Sequence, residues 1–186
     1  MDALSRSAGY LAIAGGAVAT VLVGVVAYDP NTAAWNGFFL VVALLGAAVL
    51  GLESRTRALT GQLGRVSAWL SAIGAAALLV VFAYAAATNQ MNFDASAASD
   101  PLMPFWAVTA IAWFLGNIGF GVAIVRAKAL SANGGWLVLA GAVAGVGMSL
   151  IPSAPPVPLT LLFGLFGIGW VVVGYAATRA PRRLTA

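Results

Sequence analysis

Six apolar stretches, each about as long as a membrane-crossing helix, are separated along this chain by short polar intervals. They cover residues 8–28, 35–52, 66–87, 102–125, 134–151 and 157–177, and hold 21, 18, 22, 24, 18 and 21 residues. A hydrocarbon core about 30 Å thick is crossed by ~20 helical residues rising ~1.5 Å each. Every stretch fits, the two shortest with little room for tilt. None has a formal charge in its interior. No segment alternates apolar and polar residues as a barrel strand would, so the pattern excludes a barrel. The expectation is an all-α polytopic membrane protein. Residues 1–186 form one six-helix domain of three consecutive helical hairpins.

The polar intervals carry turn chemistry. Asp29, Pro30 and Asn31 form a turn cluster after the first stretch. Pro101 and Pro104 suit a helix start, where a missing N–H costs little. Pro152, Pro155, Pro156 and Pro158 stiffen the last outer connection. Ser131, Asn133, Gly134 and Gly135 break the chain before the fifth span. The long connection 88–100 is polar and rich in small residues, which predicts a mobile outer loop.

Charge then orients the bundle. All nine cations, Arg6, Arg55, Arg57, Arg65, Arg126, Lys128, Arg179, Arg182 and Arg183, fall in alternate intervals or at the two ends of the chain. The other three intervals have no Lys or Arg but carry Asp29, Asp94 and Asp100. The positive-inside rule predicts both termini in the cytoplasm, with three outer connections, in the inner (plasma) membrane. Arg6 followed by an apolar run is also how a signal peptide begins. The run is too long, and no small-x-small cleavage site precedes Asp29, so it reads as a retained first span.

Composition agrees. The chain is 62% hydrophobic and 8% charged, with mean hydropathy +0.99, whereas a soluble domain carries roughly 25% charged residues. The net charge of +4 sits beside spans, where it meets anionic lipid headgroups; it does not call for nucleic acid. The bias to Arg, Ala and Gly fits a GC-rich bacterial genome. With no Cys and no His, the chain has no disulfide, thiol nucleophile, thiolate metal site or imidazole ligand. It also lacks the commonest general base near neutral pH.

Small residues predict where helices meet. Gly16, Thr20 and Gly24 make a ladder on the first span, Ala47 and Gly51 on the second, and Gly141 and Gly145 on the fifth. Trp35, Trp106, Tyr28 and Tyr84 are placed for an outer aromatic belt, and Trp69, Trp136, Tyr10 and Tyr175 for an inner one. Trp113 and Trp170 lie inside their spans. A faint repeat runs through the second helix of each hairpin: Gly46 to Arg55, Gly116 to Arg126, and Gly167 to Arg179. Such copies share one orientation, the parallel class of repeat. Shared apolar composition is the other source of that likeness.

Candidate chemistry is sparse. Asn117 lies inside the fourth span, and an amide in hydrocarbon must face the bundle interior to find a partner. Trp113, four residues earlier, shares its helical face. The two could line a small cavity, or make one interhelical hydrogen bond beside a packed indole. Glu53 ends the second span beside Arg55 and Arg57. It is read as a cytoplasmic-interface pair with Arg55, against a proton or cation path as the alternative. Asp29, Asn31, Asp94 and Asp100 could meet outside, but their spacing matches no cation loop. No catalytic residue, cofactor site or metal site is expected.

The hairpin pattern resembles small bacterial six-helix membrane proteins, and most nearly the HdeD-like acid-resistance family. The matching features are a Gly-rich first helix, a Pro-bearing outer turn and a basic exit from the second helix. Here these are Gly15 and Gly16 with Pro30 and Arg55, and Gly141 and Gly145 with Pro152 and Arg179. The middle hairpin departs, with its long outer loop and with Pro101 and Pro104 opening the fourth span. The resemblance implies an architecture and carries no catalytic motif. The function expected from all this is a non-enzymatic integral membrane protein: an accessory subunit, partnered with other membrane proteins, or a stress-related component. The alternative is a small-molecule or ion transporter with its site near Asn117 and Trp113.

Overall fold

A computed structural model of the chain describes residues 3–29, 37–88, 103–150 and 157–179. These residues form helices α1 (Ala3–Tyr28), α2 (Phe38–Ala87), α3 (Met103–Ala127), α4 (Ala132–Ser149) and α5 (Val157–Arg179), and no strand. All five are long and apolar enough to cross a membrane. The outer connection 89–100, the proline-rich segment 151–156 and the tail with Arg182 and Arg183 lie outside the described residues. So do Asn31, Trp35, Asn36 and Pro101.

The largest departure from expectation is α2. Residues 53–65, expected as a connection, are helical apart from Gly61, whose φ of 62° and ψ of −151° leave the helical region. That combination is essentially reserved for glycine. The flanking residues are good helix material. Glu53 and Arg57 pair across one turn, and the Thr56 and Thr60 hydroxyls donate to carbonyls four residues back. Charge kept these residues out of hydrocarbon in the sequence reading, but nothing prevents a helix from running past the membrane edge. As a straight rod, 50 residues would measure about 75 Å. The run instead doubles back at Gly61. A Cβ placed on Gly46 would lie 2.8 Å from that of Ala75, and the Phe39 and Phe82 rings meet at 6.3 Å. We refer to residues 38–60 and 62–87 as its first and second arms. The other helices keep their expected places but run further toward the basic ends: α1 starts at Ala3, before Arg6, and α5 continues to Arg179.

Each element packs on the next, and α5 returns to α1. Neighbours run in opposite directions. Gly9 faces Gly174 while Gly16 faces Gly167, and Gly51 of the first arm faces Ala8 of α1. Gly119 faces Ser67 while Gly74 faces Trp113, and Gly134 faces Val173 while Gly141 faces Phe166. The turn between α3 and α4 is tight. Lys128 and Leu130 take positive φ of 50° and 57°, and the Ser131 hydroxyl accepts from the Gly134 N–H at 3.2 Å to cap α4. Leu130 anchors that strained turn by packing on the core.

The glycine seams are as expected on α4, while on α2 Gly51 is in a seam but Ala47 is only half-buried, and on α1 Gly16 and Thr20 are in a seam but Gly24 is not. Gly51 packs on α1, and Gly141 and Gly145 pack on Phe166 and Phe114. Gly24 faces open space, with no atom within 4 Å of an added Cβ. The α1 seam is carried by Gly9, Gly16 and Thr20 against Gly167 and Gly174. Large rings fill the centre. Phe38 stacks on Phe163, Phe163 meets Phe114 and Phe166, Trp113 packs on Phe114 and Phe166, and Phe120 stacks on Trp170. The outer surface is apolar, with Val21, Ile73, Val80 and Val108 more than 60% exposed. Water penalises such a surface and hydrocarbon does not. Tyr10, Trp69, Trp136 and Tyr175 are exposed, as belt residues should be, but Trp106 turns inward onto Phe82 at 5.3 Å.

Candidate functional site

The polar centre of the bundle is built where α3 meets the second arm of α2. Ser67, Ser71 and Gly74 on one helix face Gly119, Gly116 and the Trp113 backbone on the other. None of these contacts has bulk, so the two helices approach closely. The Asn117 amide is then within reach of the other helix. Its Nδ2 donates to the Ser71 hydroxyl at 2.9 Å and to the Trp113 carbonyl at 2.8 Å. Asn117 is fully buried. Exchanging its amide oxygen and nitrogen would set oxygen against the Trp113 carbonyl, so that carbonyl fixes the orientation.

The amide therefore touches the Trp113 backbone, not its indole. The Trp113 ring is 2% exposed and packs on Phe114 at 4.8 Å and Phe166 at 5.5 Å. Asn117 Oδ1, Trp113 Nε1 and Trp170 Nε1 are buried with no hydrogen-bond partner. An unpaired buried group costs about 1–3 kcal/mol, so the bundle carries this centre at some expense to stability.

Glu53 is the second site. The carboxylate is almost fully buried, and Arg57 holds it through two bonds, Nε to Oε1 at 2.8 Å and Nη2 to Oε2 at 3.1 Å. The Arg57 side chain is 57% exposed. The expected partner, Arg55, takes no part in this pair. Residues two apart on a helix point to nearly opposite sides, while residues four apart are stacked. The hydrogen bond to Glu53, and then its charge, raise the Arg57 guanidinium further above its ordinary value. Glu53 is thus a neutralised carboxylate at the cationic end of the bundle.

Comparison with protein-family models, with curated proteins and with solved structures finds no match to this chain. What the chain does must therefore be argued from these contacts. Among the outer acids, Asp29 ends α1 in an exposed position, while Asp94 and Asp100 lie outside the described residues. Among the described residues no three Asp or Glu side chains gather where they could hold a metal ion.

Sequence reasoning missed Ser71 and the elbow at Gly61. Ser67 and Ser71 share a helical face with Gly74, and a stripe of three small or hydroxylic residues beside an unassigned amide was the available signal. Gly61 had no such signal, since a single glycine among polar residues fits either a loop or a reversal.

Proposed function

We propose that this protein is a six-span integral membrane protein without catalytic activity. It acts as an accessory subunit or a stress-related component of the bacterial plasma membrane, in the architectural class of HdeD-like proteins. The observation that carries this reading is the cluster of packed aromatics in the buried core. Phe38, Phe163, Phe114 and Phe166 touch one another in sequence, Phe166 also meets Trp113 and Trp170, and Trp170 stacks on Phe120. A substrate path through the centre would have to displace several of them together. The Asn117 amide nitrogen is held by Ser71 and the Trp113 carbonyl, and Glu53 is held by Arg57, so neither is free to carry a substrate without breaking these bonds.

The topology belongs to the same proposal. The reversal at Gly61 makes two spans of α2, and the antiparallel neighbours then form three consecutive hairpins. Gly9 beside Gly174, Ala8 beside Gly51 and Gly121 beside Gly135 put the helix ends that carry Arg6, Arg179, Arg55 and Arg126 at one end of the bundle. The positive-inside rule makes that end, and both termini, cytoplasmic.

The test is a native mass spectrum of the protein released gently from its own membrane. Another polypeptide held in fixed ratio is the expected result. An 18.8 kDa chain retaining one small polar molecule and no protein would overturn the proposal in favour of transport.

A further inference from the structure

The reversal at Gly61 opens a groove of about 710 Å³ on the cationic end of the bundle. Its volume is in the range of small-molecule sites, roughly 300–1,000 Å³. It is open at Gly61, where an added Cβ would meet nothing within 4 Å. Arg57 enters from the first arm, and one face of the second arm supplies the rest.

The order of residues along that face is informative. Gln62 and Arg65 come first, then Trp69, then Leu70 and Ile73. Their spacing follows the helical repeat, so they form one stripe about 16 Å long at ~1.5 Å per residue. The stripe runs from charged through amphipathic to aliphatic. A glycerophospholipid has the same sequence of chemistries along its length: phosphate, ester region, acyl chain.

Charge complementarity points to an anionic head. Glu53 neutralises much of Arg57 but occupies only two of its five N–H donors. Arg65 is exposed and forms no ion pair among the described residues. The second arm begins at this point, and its helix dipole adds positive potential. Below Trp69, which is half-exposed, Ile73 and Val80 are 62% and 69% exposed and continue the apolar face. An acyl chain has a surface to lie on.

We propose that the Gly61 elbow is a binding site for one anionic glycerophospholipid. Its phosphate sits between Arg57 and Arg65, its ester region lies against Trp69, and an acyl chain follows Leu70 and Ile73. This rests on the protein being membrane-embedded with this end in the cytoplasm, but on neither the accessory nor the transport reading.

The test is a lipid titration of the delipidated full-length protein, read by native mass spectrometry. The probes are dioleoylphosphatidylglycerol, dioleoylphosphatidylcholine and sodium phosphate. One tight phosphatidylglycerol adduct is expected, with phosphatidylcholine weaker and millimolar phosphate unable to displace it. Arg65→Gln should weaken that adduct roughly tenfold, the scale of one charge-assisted hydrogen bond. Trp69→Ala should weaken it without changing charge. Arg126→Gln should not, since Arg126 is at the same end but outside the groove. Equal loss in Arg65→Gln and Arg126→Gln would mean diffuse surface charge and overturn the site. Equal affinity for phosphatidylcholine, or displacement by free phosphate, would overturn the anionic-lipid assignment. A carbonate wash of membranes separates the two levels. Protein that washes off refutes embedding, whereas embedded protein with an Arg65-insensitive adduct refutes only the groove.

Discussion

Gly16 and Gly24 look alike in sequence and should respond oppositely to the same change. Gly16→Ala places a methyl group 2.5 Å from the Gly167 carbonyl oxygen and 2.8 Å from the Val171 nitrogen. Both are backbone atoms and cannot rotate away. Ordinary contact begins near 3.4 Å, so α1 and α5 must part by about 0.9 Å at this level (3.4 − 2.5). A gap of that size forfeits about a quarter to a half of each dispersion contact along the seam. Overpacking of this kind costs about 1–3 kcal/mol, and alanine returns up to ~1 kcal/mol in helix propensity. With the full propensity gain the net expected loss is about 0–2 kcal/mol, against no loss at Gly24. At Gly24 the added methyl meets nothing, so only the propensity gain remains and Gly24→Ala is neutral or slightly stabilising. The assay is reversible unfolding in mixed dodecyl maltoside and dodecyl sulfate micelles, followed by far-ultraviolet circular dichroism. Equal shifts in the two variants, or a larger loss at Gly24, would refute the assignment of the α1–α5 seam.

The remaining predictions use the same assay except the last. Arg57→Gln strands the buried Glu53 carboxylate and should lower stability at pH 8, by less than the loss of a fully buried pair because the Arg57 side chain is 57% exposed. Glu53→Gln should cost under about 1 kcal/mol, since it leaves an exposed arginine, and the reverse ranking would contradict the burial of Glu53. Asn117→Leu removes the unpaired Oδ1 along with the bond to Ser71, and should change stability by no more than about 1 kcal/mol. A loss of 3 kcal/mol or more there, or loss of a transport activity with stability intact, would show that the amide does more than pack. The chain has no cysteine, so single substitutions report topology directly: Lys128→Cys should react with an impermeant maleimide only from the cytoplasmic face and Thr88→Cys only from the outer face. Labelling of both from one side would break the proposed hairpin order.

The long apolar elements were legible because hydropathy is summed over about 20 residues, and no single residue can hide such a run. The faces of those elements were not legible. In a soluble helix the apolar stripe marks the buried side, but here every side of α1 is apolar, and lipid accepts what the protein interior accepts. Gly24 therefore scored as well as Gly16, and only the packing of α5 tells them apart. The same blindness hid Ser71, whose mild polarity is ordinary in a membrane helix until Asn117 is seen facing it. Glu53 was read as one member of an ion pair with an arginine, and the structure does pair it with one. Its partner was assigned by proximity along the chain, where helical geometry would have chosen Arg57 over Arg55. The elbow failed differently. Charged residues from Glu53 to Arg65 were read as the end of one helix and the start of another. Helix continues through these residues from both sides, and Gly61 alone among them leaves the helical region.

The division of labour between small and large residues explains how such a chain selects one arrangement. In lipid, apolar surface gains nothing by hiding from its surroundings, so helix packing depends on shape and on dispersion. The glycines fix the perimeter: Gly16 on Gly167, Gly141 on Phe166, Gly74 on Trp113 and Gly46 on Ala75 each set a short distance between neighbours. With those distances set, the space at the centre is determined. The large rings of α3 and α5 occupy it, Trp113 and Phe114 against Phe163 and Phe166, and Phe120 against Trp170. Seams and centre are therefore coupled. A methyl group added to a seam enlarges the perimeter and loosens the rings, while truncating a ring leaves a cavity that tight seams cannot close. Opening the centre for a substrate would require breaking seams on both sides of α5 at once.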